Sequence, residues 1–140
     1  MFRSIPAGTP REFIERAHSA LAGSRGAAVA VAQVASDRTI RYAGCGNIAG
    51  ALVDAVHSRG LVSQNGTLGV AIRTVQEQTY PWASGFLVMH SDGLTSRWNV
   101  EQYPGVFGRH PAIIAGLIYR DALRGRDDAT VVVVDGSGRD

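Results

Sequence analysis

The chain has 140 residues, of which 45% are hydrophobic and 19% charged, and its formal net charge is +2. This composition suits one domain, residues 1–140, with a buried core, and it excludes a disordered chain. The single cysteine excludes an intrachain disulfide and a cysteine-rich zinc site. The small, dispersed charge argues against nucleic-acid binding, and the absence of a long apolar stretch or secretory signal argues against membrane association. We therefore expect a cytoplasmic protein.

The first predicted element is an amphipathic helix that begins at Thr9. The segment Thr9-Pro10-Arg11-Glu12 combines an N-cap, a proline at the first helical position and a glutamate that closes a capping box. Apolar residues recur at helical spacing as far as Leu21, and Gly23 marks the end. This pattern predicts a helix that packs one face against another element.

Strand-like segments follow the helix. The predicted strands are Ala27 to Val34, Thr39 to Ala43, Ile48 to Val56 and Leu68 to Val75. The turn-like Ser36-Asp37-Arg38 separates the first two, and we expect the first three to form a meander in sequence order. Asn65-Gly66 is favoured where both central residues of a tight turn have positive φ, so it predicts such a turn before the fourth strand.

The C-terminal half contains two more predicted strands and a second helix. A short apolar strand from Phe86 to His90 leads into the polar break Ser91-Asp92-Gly93. The helix is predicted to begin near His110-Pro111 and to end near Gly125. The β-branched run Val131 to Val134 predicts a final strand that is buried on both faces or nearly so.

Two aspartates, Asp92 and Asp127, lie beside the ends of strongly apolar strands. Mg²⁺ and Mn²⁺ prefer oxygen ligands in a near-octahedral array, which carboxylates on the rims of neighbouring strands can supply. Asp-Gly and Asp-Asp are also ordinary turn sequences, so these residues alone are compatible with either a simple turn or a metal site. The other candidates, Asp37 in a hairpin turn and Asp54 inside a strand, match no ligand pattern, and Cys45 is expected to be a small packing residue.

The order of several motifs along the chain favours a metal site over simple turns. Ser91-Asp92-Gly93-Leu94, followed later by Asp127-Asp128-Ala129-Thr130-Val131-Val132-Val133, resembles the last two metal motifs of the type 2C protein serine/threonine phosphatases. The bacterial SpoIIE/RsbX branch is matched by Arg25-Gly26-Ala27-Ala28, Gly44-Cys45-Gly46-Asn47-Ile48, Asn65-Gly66-Thr67-Leu68-Gly69 and Tyr103-Pro104-Gly105 with His110-Pro111. The resemblance covers the chain from about Thr9 to Val134 and corresponds to the C-terminal part of the family's domain.

The resemblance implies an α+β fold, a sandwich of two antiparallel β-sheets flanked by helices, with a dinuclear Mn²⁺ or Mg²⁺ centre. It implies that Asp92 and Asp127 are direct metal ligands that act through metal-bound water. Gly93 would belong to the same metal site, since glycine lets the backbone turn away and its neighbours approach the metals. The implied activity is dephosphorylation of phosphoserine or phosphothreonine on a bacterial regulatory protein in sigma-factor or stress-response signalling, of the anti-sigma-factor antagonist type.

The chain departs from the family pattern in its N-terminal part. It has no upstream strand that bears an aspartate and no Asp-Gly-x-Gly-x-Gly segment, so we expect the first two or three strands to be absent. Two carboxylates cannot satisfy two divalent cations. The alternative function is therefore a noncatalytic phosphatase-like domain that binds a protein partner. Missing strands would also expose a sheet edge, which predicts a homodimer, strand exchange or marginal stability.

Overall fold

The computed structural model describes residues 8–125 and 127–137. Its helices and strands, in chain order, are α1 (Pro10–Ala20), β1 (Val29–Val34), β2 (Thr39–Cys45), β3 (Ile48–Val53), β4 (Ser58–Leu61), β5 (Ser63–Gln64), β6 (Gly66–Thr67), β7 (Ala71–Ile72), β8 (Gln78–Pro81), β9 (Phe86–Ser91), α2 (Pro111–Ala122) and β10 (Val131–Asp135), with short 3-10 helices at Val100–Gln102 and Val106–Gly108. The chain divides into two compact units. One comprises the residues up to Gly46 together with Val62–Pro81, and the other comprises Asn47–Leu61 together with the residues from Trp82 onward.

The first unit is built on a sheet in which β2 is central. β2 pairs antiparallel with β1 and β8, and over two residues it pairs parallel with β5. Helix α1 begins as predicted, because the backbone N–H of Glu12 donates to Thr9 Oγ1 and the N–H of Thr9 donates to Glu12 Oε2, both at 3.2 Å. Ile14 of α1 is fully buried in an apolar cluster with Ala43, Cys45 and Leu68. This helix is therefore held by its apolar face.

The second unit is an antiparallel sheet in the order β10-β9-β3-β4, with α2 packed against it. Ile114 and Ile118 of α2 are buried in one cluster with Phe86 and Val88 of β9 and with Val53. Burial of a side chain of this size contributes about 1.5–3 kcal/mol. This core holds β9 and β10 side by side, which matters because the two candidate aspartates lie next to these strands.

The fold class predicted from the sequence, α+β with antiparallel sheets and flanking helices, is confirmed. Both helices begin where predicted, and His110 is the N-cap of α2, with its Nδ1 accepting from the N–H of Ala112 at 3.2 Å. The helices end at Ala20 and Ala122, in each case three residues before the glycine that was predicted to end the helix. The assignment of residues 1–140 to a single domain stays a prediction. No helix among the described residues is long and apolar enough to cross a membrane.

The predicted meander of the first three strands is wrong. β1 and β2 form a hairpin, but β3 pairs with β9 and β4 in a different sheet. Gly46, at φ 92°, lies between β2 and β3 in a backbone conformation that glycine adopts without steric penalty. β3 also ends at Val53 instead of Val56, because Asp54 begins a turn.

The predicted tight turn at Asn65-Gly66 is also wrong. Asn65 does not have a positive φ, and Gly66, at φ 146°, begins β6. The turn of this hairpin lies further along, where the N–H of Val70 donates to the Thr67 carbonyl at 3.1 Å and Gly69 has φ 83°. As a result, the predicted strand Leu68 to Val75 is reduced to β7, which has two residues.

The last strand is less buried than its composition predicted. β10 is the outermost strand of its sheet and, within the described residues, pairs only with β9. Val131 and Val133 pack against the core cluster with α2, whereas Val132 and Val134 are 48% and 37% exposed. Alternate side chains of a strand point to opposite faces, so one face of β10 is covered and the other is open.

Candidate metal site

Asp92 lies in a turn directly after β9. The N–H of Leu94 donates to the Ser91 carbonyl at 3.2 Å, which closes the turn, and Leu94 itself is buried. Asp92 is exposed. Buried Leu94 therefore anchors the turn from the side that follows the Asp-Gly pair, while the Asp92 carboxylate remains accessible to solvent.

Asp127 lies at the same end of the β9–β10 pair. In this pairing, Val131 lies opposite His90 and the strands are antiparallel, so the segment before β10 runs beside the residues that follow β9. Ser91 joins the two segments twice: its N–H donates to the Thr130 carbonyl and its Oγ accepts from the Thr130 N–H, both at 3.0 Å. Asp127 is exposed, and its Oδ1 accepts from the N–H of Asp128 at 3.0 Å. The structure therefore brings the two predicted motifs to one rim.

Gly93 forms the closest contact between these motifs. A Cβ added at Gly93 would collide with the Asp128 carbonyl oxygen and would lie 2.8 Å from both the Asp128 carbonyl carbon and Ala129 Cα. The Gly93 carbonyl accepts from the N–H of Arg124 at 2.8 Å. The need for glycine here is consequently steric, since only a residue without a side chain allows the turn after β9 to lie against the backbone of 128–129.

His90, which is not among the site residues predicted from the sequence, stabilises the turn after β9. It is 4% exposed, its Nε2 accepts from Trp98 Nε1–H at 3.1 Å, and its Nδ1 lies 2.8 Å from the Ser91 carbonyl. An indole N–H can only donate, so the proton of the imidazole is on Nδ1 and is donated to the Ser91 carbonyl. His90, Ser91 and Asp92 therefore do not form a hydrolase triad, because both nitrogens of the His90 ring have other partners. A polar residue inside an apolar strand was the signal for this role.

The other acidic candidates have structural roles in turns. Asp37 Oδ1 accepts from the N–H and the hydroxyl of Thr39 at 3.1 and 2.6 Å. Asp54 Oδ1 accepts from the N–H groups of Val56 and His57, both at 2.8 Å, and these bonds lower the pKa of the Asp54 carboxyl. Neither residue therefore serves as a ligand at the rim with Asp92 and Asp127.

Cys45 is a packing residue, as expected. Its side chain is fully buried, and this burial raises the pKa of the thiol. A Cβ added at Gly66 would lie 3.1 Å from the Cys45 sulfur, which indicates that the thiol fills a tight space. A buried thiol with a raised pKa is a poor nucleophile, so redox chemistry at Cys45 is disfavoured.

The donor atoms at the rim suit a hard divalent cation but do not complete a site. Asp92 and Asp127 offer carboxylate oxygens, which Mg²⁺ and Mn²⁺ prefer. Across residues 8–125 and 127–137, no group of three or more His, Cys, Asp or Glu side chains could hold a metal ion. The residues fit the chemistry of the ion and supply only part of its coordination.

No protein-family model matches the chain, and no curated protein sequence matches it. Three solved structures are similar to it. One is a chain from the bacterial stressosome, described as a modular system adapted to control secondary messenger signaling, with 22% identity, a TM-score of 0.77, and coverage of 93% of this chain and 68% of that one.

The other two structures are RsbX and a SpoIIE phosphatase domain. RsbX, solved in complex with magnesium, has 20% identity and a TM-score of 0.71, with 87% of this chain and 62% of RsbX covered. The phosphatase domain of the cell-fate determinant SpoIIE from Bacillus subtilis has 15% identity and a TM-score of 0.60, with 99% of this chain and 77% of that domain covered. The chain thus spans less than two thirds of the RsbX chain. From these structural matches, we conclude that the chain has a SpoIIE/RsbX-type, type 2C phosphatase-like fold.

Proposed function

We propose that the protein takes part in the metal-dependent dephosphorylation of phosphoserine or phosphothreonine on a cytoplasmic regulatory protein in sigma-factor or stress-response signalling. One observation carries the proposal: the Ser91–Thr130 pair and the Gly93 contact hold Asp92 and Asp127 at one rim of the β9–β10 pair. The similarity to RsbX, which was solved with magnesium, supports the same assignment. The proposed substrate is a phosphoprotein of the anti-sigma-factor antagonist type.

Each residue of the rim has a distinct part in this mechanism. Asp92 and Asp127 hold the cation, Mn²⁺ or Mg²⁺, through their exposed carboxylates. Gly93 contributes to the metal site by keeping the two segments in contact. A cation held there would supply charge neutralisation for the phosphate and would lower the pKa of a coordinated water that serves as nucleophile. Ser91 and His90 keep the turn in place, while the open rim lets a phosphorylated side chain approach.

A noncatalytic binding module is the second candidate function. It is favoured by the absence, among the described residues, of a cluster of three or more metal-ligating side chains. A domain with this fold could bind a signalling protein without dephosphorylating it. The two functions differ in whether metal changes the interaction with a phosphorylated partner.

Removal of metal distinguishes the two functions. With a phosphoserine peptide as substrate, we expect the protein to release inorganic phosphate in the presence of Mn²⁺ and to lose this activity on addition of EDTA, because the cation supplies the charge neutralisation that the carboxylates cannot. Phosphate release is measured colorimetrically, and excess Mn²⁺ after EDTA should restore it. Peptide binding that is equally tight with Mn²⁺ and with EDTA, without phosphate release, would favour the binding module.

We also expect the protein to form a homodimer through the outer edge of β10. Val132 and Val134 are exposed residues of β10, which pairs on one side only within the described residues, and such edges associate readily. Sedimentation velocity should show a concentration-dependent dimer that Val132→Lys converts to a monomer. Val56→Lys is the matched control, because Val56 is 74% exposed and lies in a turn. A wild-type monomer at all concentrations would contradict this expectation.

A further inference from the structure

A pocket of about 350 Å³ lies in the second unit, on the face of its sheet over β3 and β4. Its floor includes Ala49, Ala51 and Gly60, which share one face because Ala49 pairs with His90 and Ala51 pairs with Gly60. His90 and Trp98 also line it. None of the described residues that line it is Asp, Glu, Lys or Arg, and His90 Nε2 already accepts from Trp98 Nε1–H. These walls therefore offer no carboxylate, ammonium or guanidinium group, and they include an aromatic side chain.

The pocket is adjacent to the candidate metal site. His90 lines it, and Asp92 follows two residues later, in the turn directly after the same strand. Two residues of chain span at most about 7 Å, so the two positions are no further apart than that. In an extended peptide, side chains two positions apart point to the same face with that same spacing. A peptide whose phosphoserine reaches the Asp92 rim can thus place a side chain two residues away in the pocket.

The surrounding strand suits an extended peptide. β4 is the outermost strand at its side of the sheet, pairing with β3 within the described residues, and outermost strands can accept an additional strand from a partner. Gly60 lies in β4, and a Cβ added there would meet no heavy atom within 4 Å. The space above Gly60 is consequently open to a side chain that enters from the edge.

We propose that this pocket binds an uncharged, apolar side chain two residues from the phosphorylated residue of the substrate protein. The proposal rests on the proposed function, since it locates the phosphate at the Asp92 rim. The volume is at the low end for ligand pockets and suits a single side chain. A charged side chain is disfavoured because the lining offers no charge to pair with it. The pocket would thereby select which phosphoserines reach the site.

The test uses fluorescein-labelled phosphoserine peptides that carry Leu or Asp two positions before or after the phosphoserine. Binding is measured by fluorescence polarisation with Mn²⁺ present. We expect the Leu peptide to bind about tenfold more tightly than the Asp peptide on one side of the phosphoserine, because Leu buries apolar surface that Asp lacks. Equal affinity for both peptides, including no measurable binding of either, would overturn the proposal.

A pocket-filling variant adds a second readout. Gly60→Val is expected to reduce the preference for Leu to less than about threefold, since the new side chain occupies the open space and a β-branched residue suits a strand. Gly60→Ala should have a smaller effect in the same direction. Gly116→Val is the matched control: Gly116 is an exposed glycine of α2, an added Cβ there would meet no heavy atom within 4 Å beyond the nearby backbone of the helix, and the variant should retain the tenfold preference. A Gly60→Val protein that melts cooperatively and keeps the full preference would overturn the proposal.

Unphosphorylated versions of the peptides separate this inference from the proposed function. If Leu is preferred over Asp but phosphorylation adds no affinity, the pocket is supported and the proposed phosphatase site fails. If phosphorylation tightens binding but Leu and Asp are equivalent on both sides, the proposed site is supported and the pocket inference is refuted.

Discussion

Asp92→Asn is expected to reduce Mn²⁺-dependent phosphate release from a phosphoserine peptide by about a hundredfold or more. Asparagine keeps the size of the side chain and one oxygen donor, but it removes the negative charge that a hard divalent cation requires. A ligand at the reacting centre stabilises charge that develops during phosphoryl transfer, and loss of one such group commonly reduces turnover by about 10²–10³-fold. The protein should retain its melting temperature, because Asp92 is exposed.

Asp127→Asn should give a loss of similar size, and calorimetric titration with Mn²⁺ should show weaker binding for both variants. The control is Asp37→Asn, an exposed aspartate that accepts hydrogen bonds from Thr39 in a turn. Its phosphatase activity should match that of the wild type. The metal-site assignment would be wrong if Asp92→Asn kept full activity, or if Asp37→Asn lost as much activity as Asp92→Asn.

Gly93→Ala is expected to lower the free energy of unfolding by about 1–3 kcal/mol, the range for forcing an extra methyl group into a packed site. The new Cβ would collide with the Asp128 carbonyl oxygen and approach the Asp128 carbonyl carbon to 2.8 Å. These are backbone atoms, so no side-chain rotation can relieve the contact. The 127–130 segment must shift, and Mn²⁺ affinity should fall as Asp127 moves away from Asp92. Urea unfolding and calorimetric metal titration measure the two effects.

Gly116→Ala is the control, and its expected effect on the free energy of unfolding is opposite to that of Gly93→Ala. Gly116 is an exposed residue of α2, and its added Cβ would meet no heavy atom within 4 Å. Alanine favours a helix over glycine by about 1 kcal/mol, so this variant should be more stable than the wild type with unchanged metal affinity. If Gly93→Ala kept wild-type stability, the prediction would be wrong, and Gly93 would be packed less tightly against residues 128–129 than the structure shows.

The local elements of the fold were predictable because their signals are contained in short segments. The capping box at Thr9 and the proline after His110 identified the two helix starts, and both were confirmed. The apolar run from Phe86 to His90 predicted β9, and the polar residues after it predicted the break at Asp92. Backbone hydrogen bonding and steric preferences decide these features within a few residues, so tertiary context is not needed.

The pairing of strands was not predictable in the same way. β3 follows β2 directly but pairs with β9, which is far along the chain. Asn65-Gly66 has the composition of a tight turn, yet the turn lies at Gly69, where a glycine also permits positive φ. β10 has the composition of a central strand, but it is the outermost strand of its sheet and the face that bears Val132 is open. In each case, packing between distant segments outweighs the local preference.

The sequence by itself determined the chemistry of the candidate site: two aspartates beside apolar strands, with a glycine after the first. Only the tertiary structure decided that they belong to one rim. The antiparallel register of β9 and β10 and the Ser91–Thr130 hydrogen bonds place the segments of Asp92 and Asp127 together. The tertiary structure also revealed that Gly93 lies against the backbone of residues 128–129 and that His90 stabilises the turn after β9. Such contacts join residues that are distant in the chain, and a sequence pattern carries no distances between them.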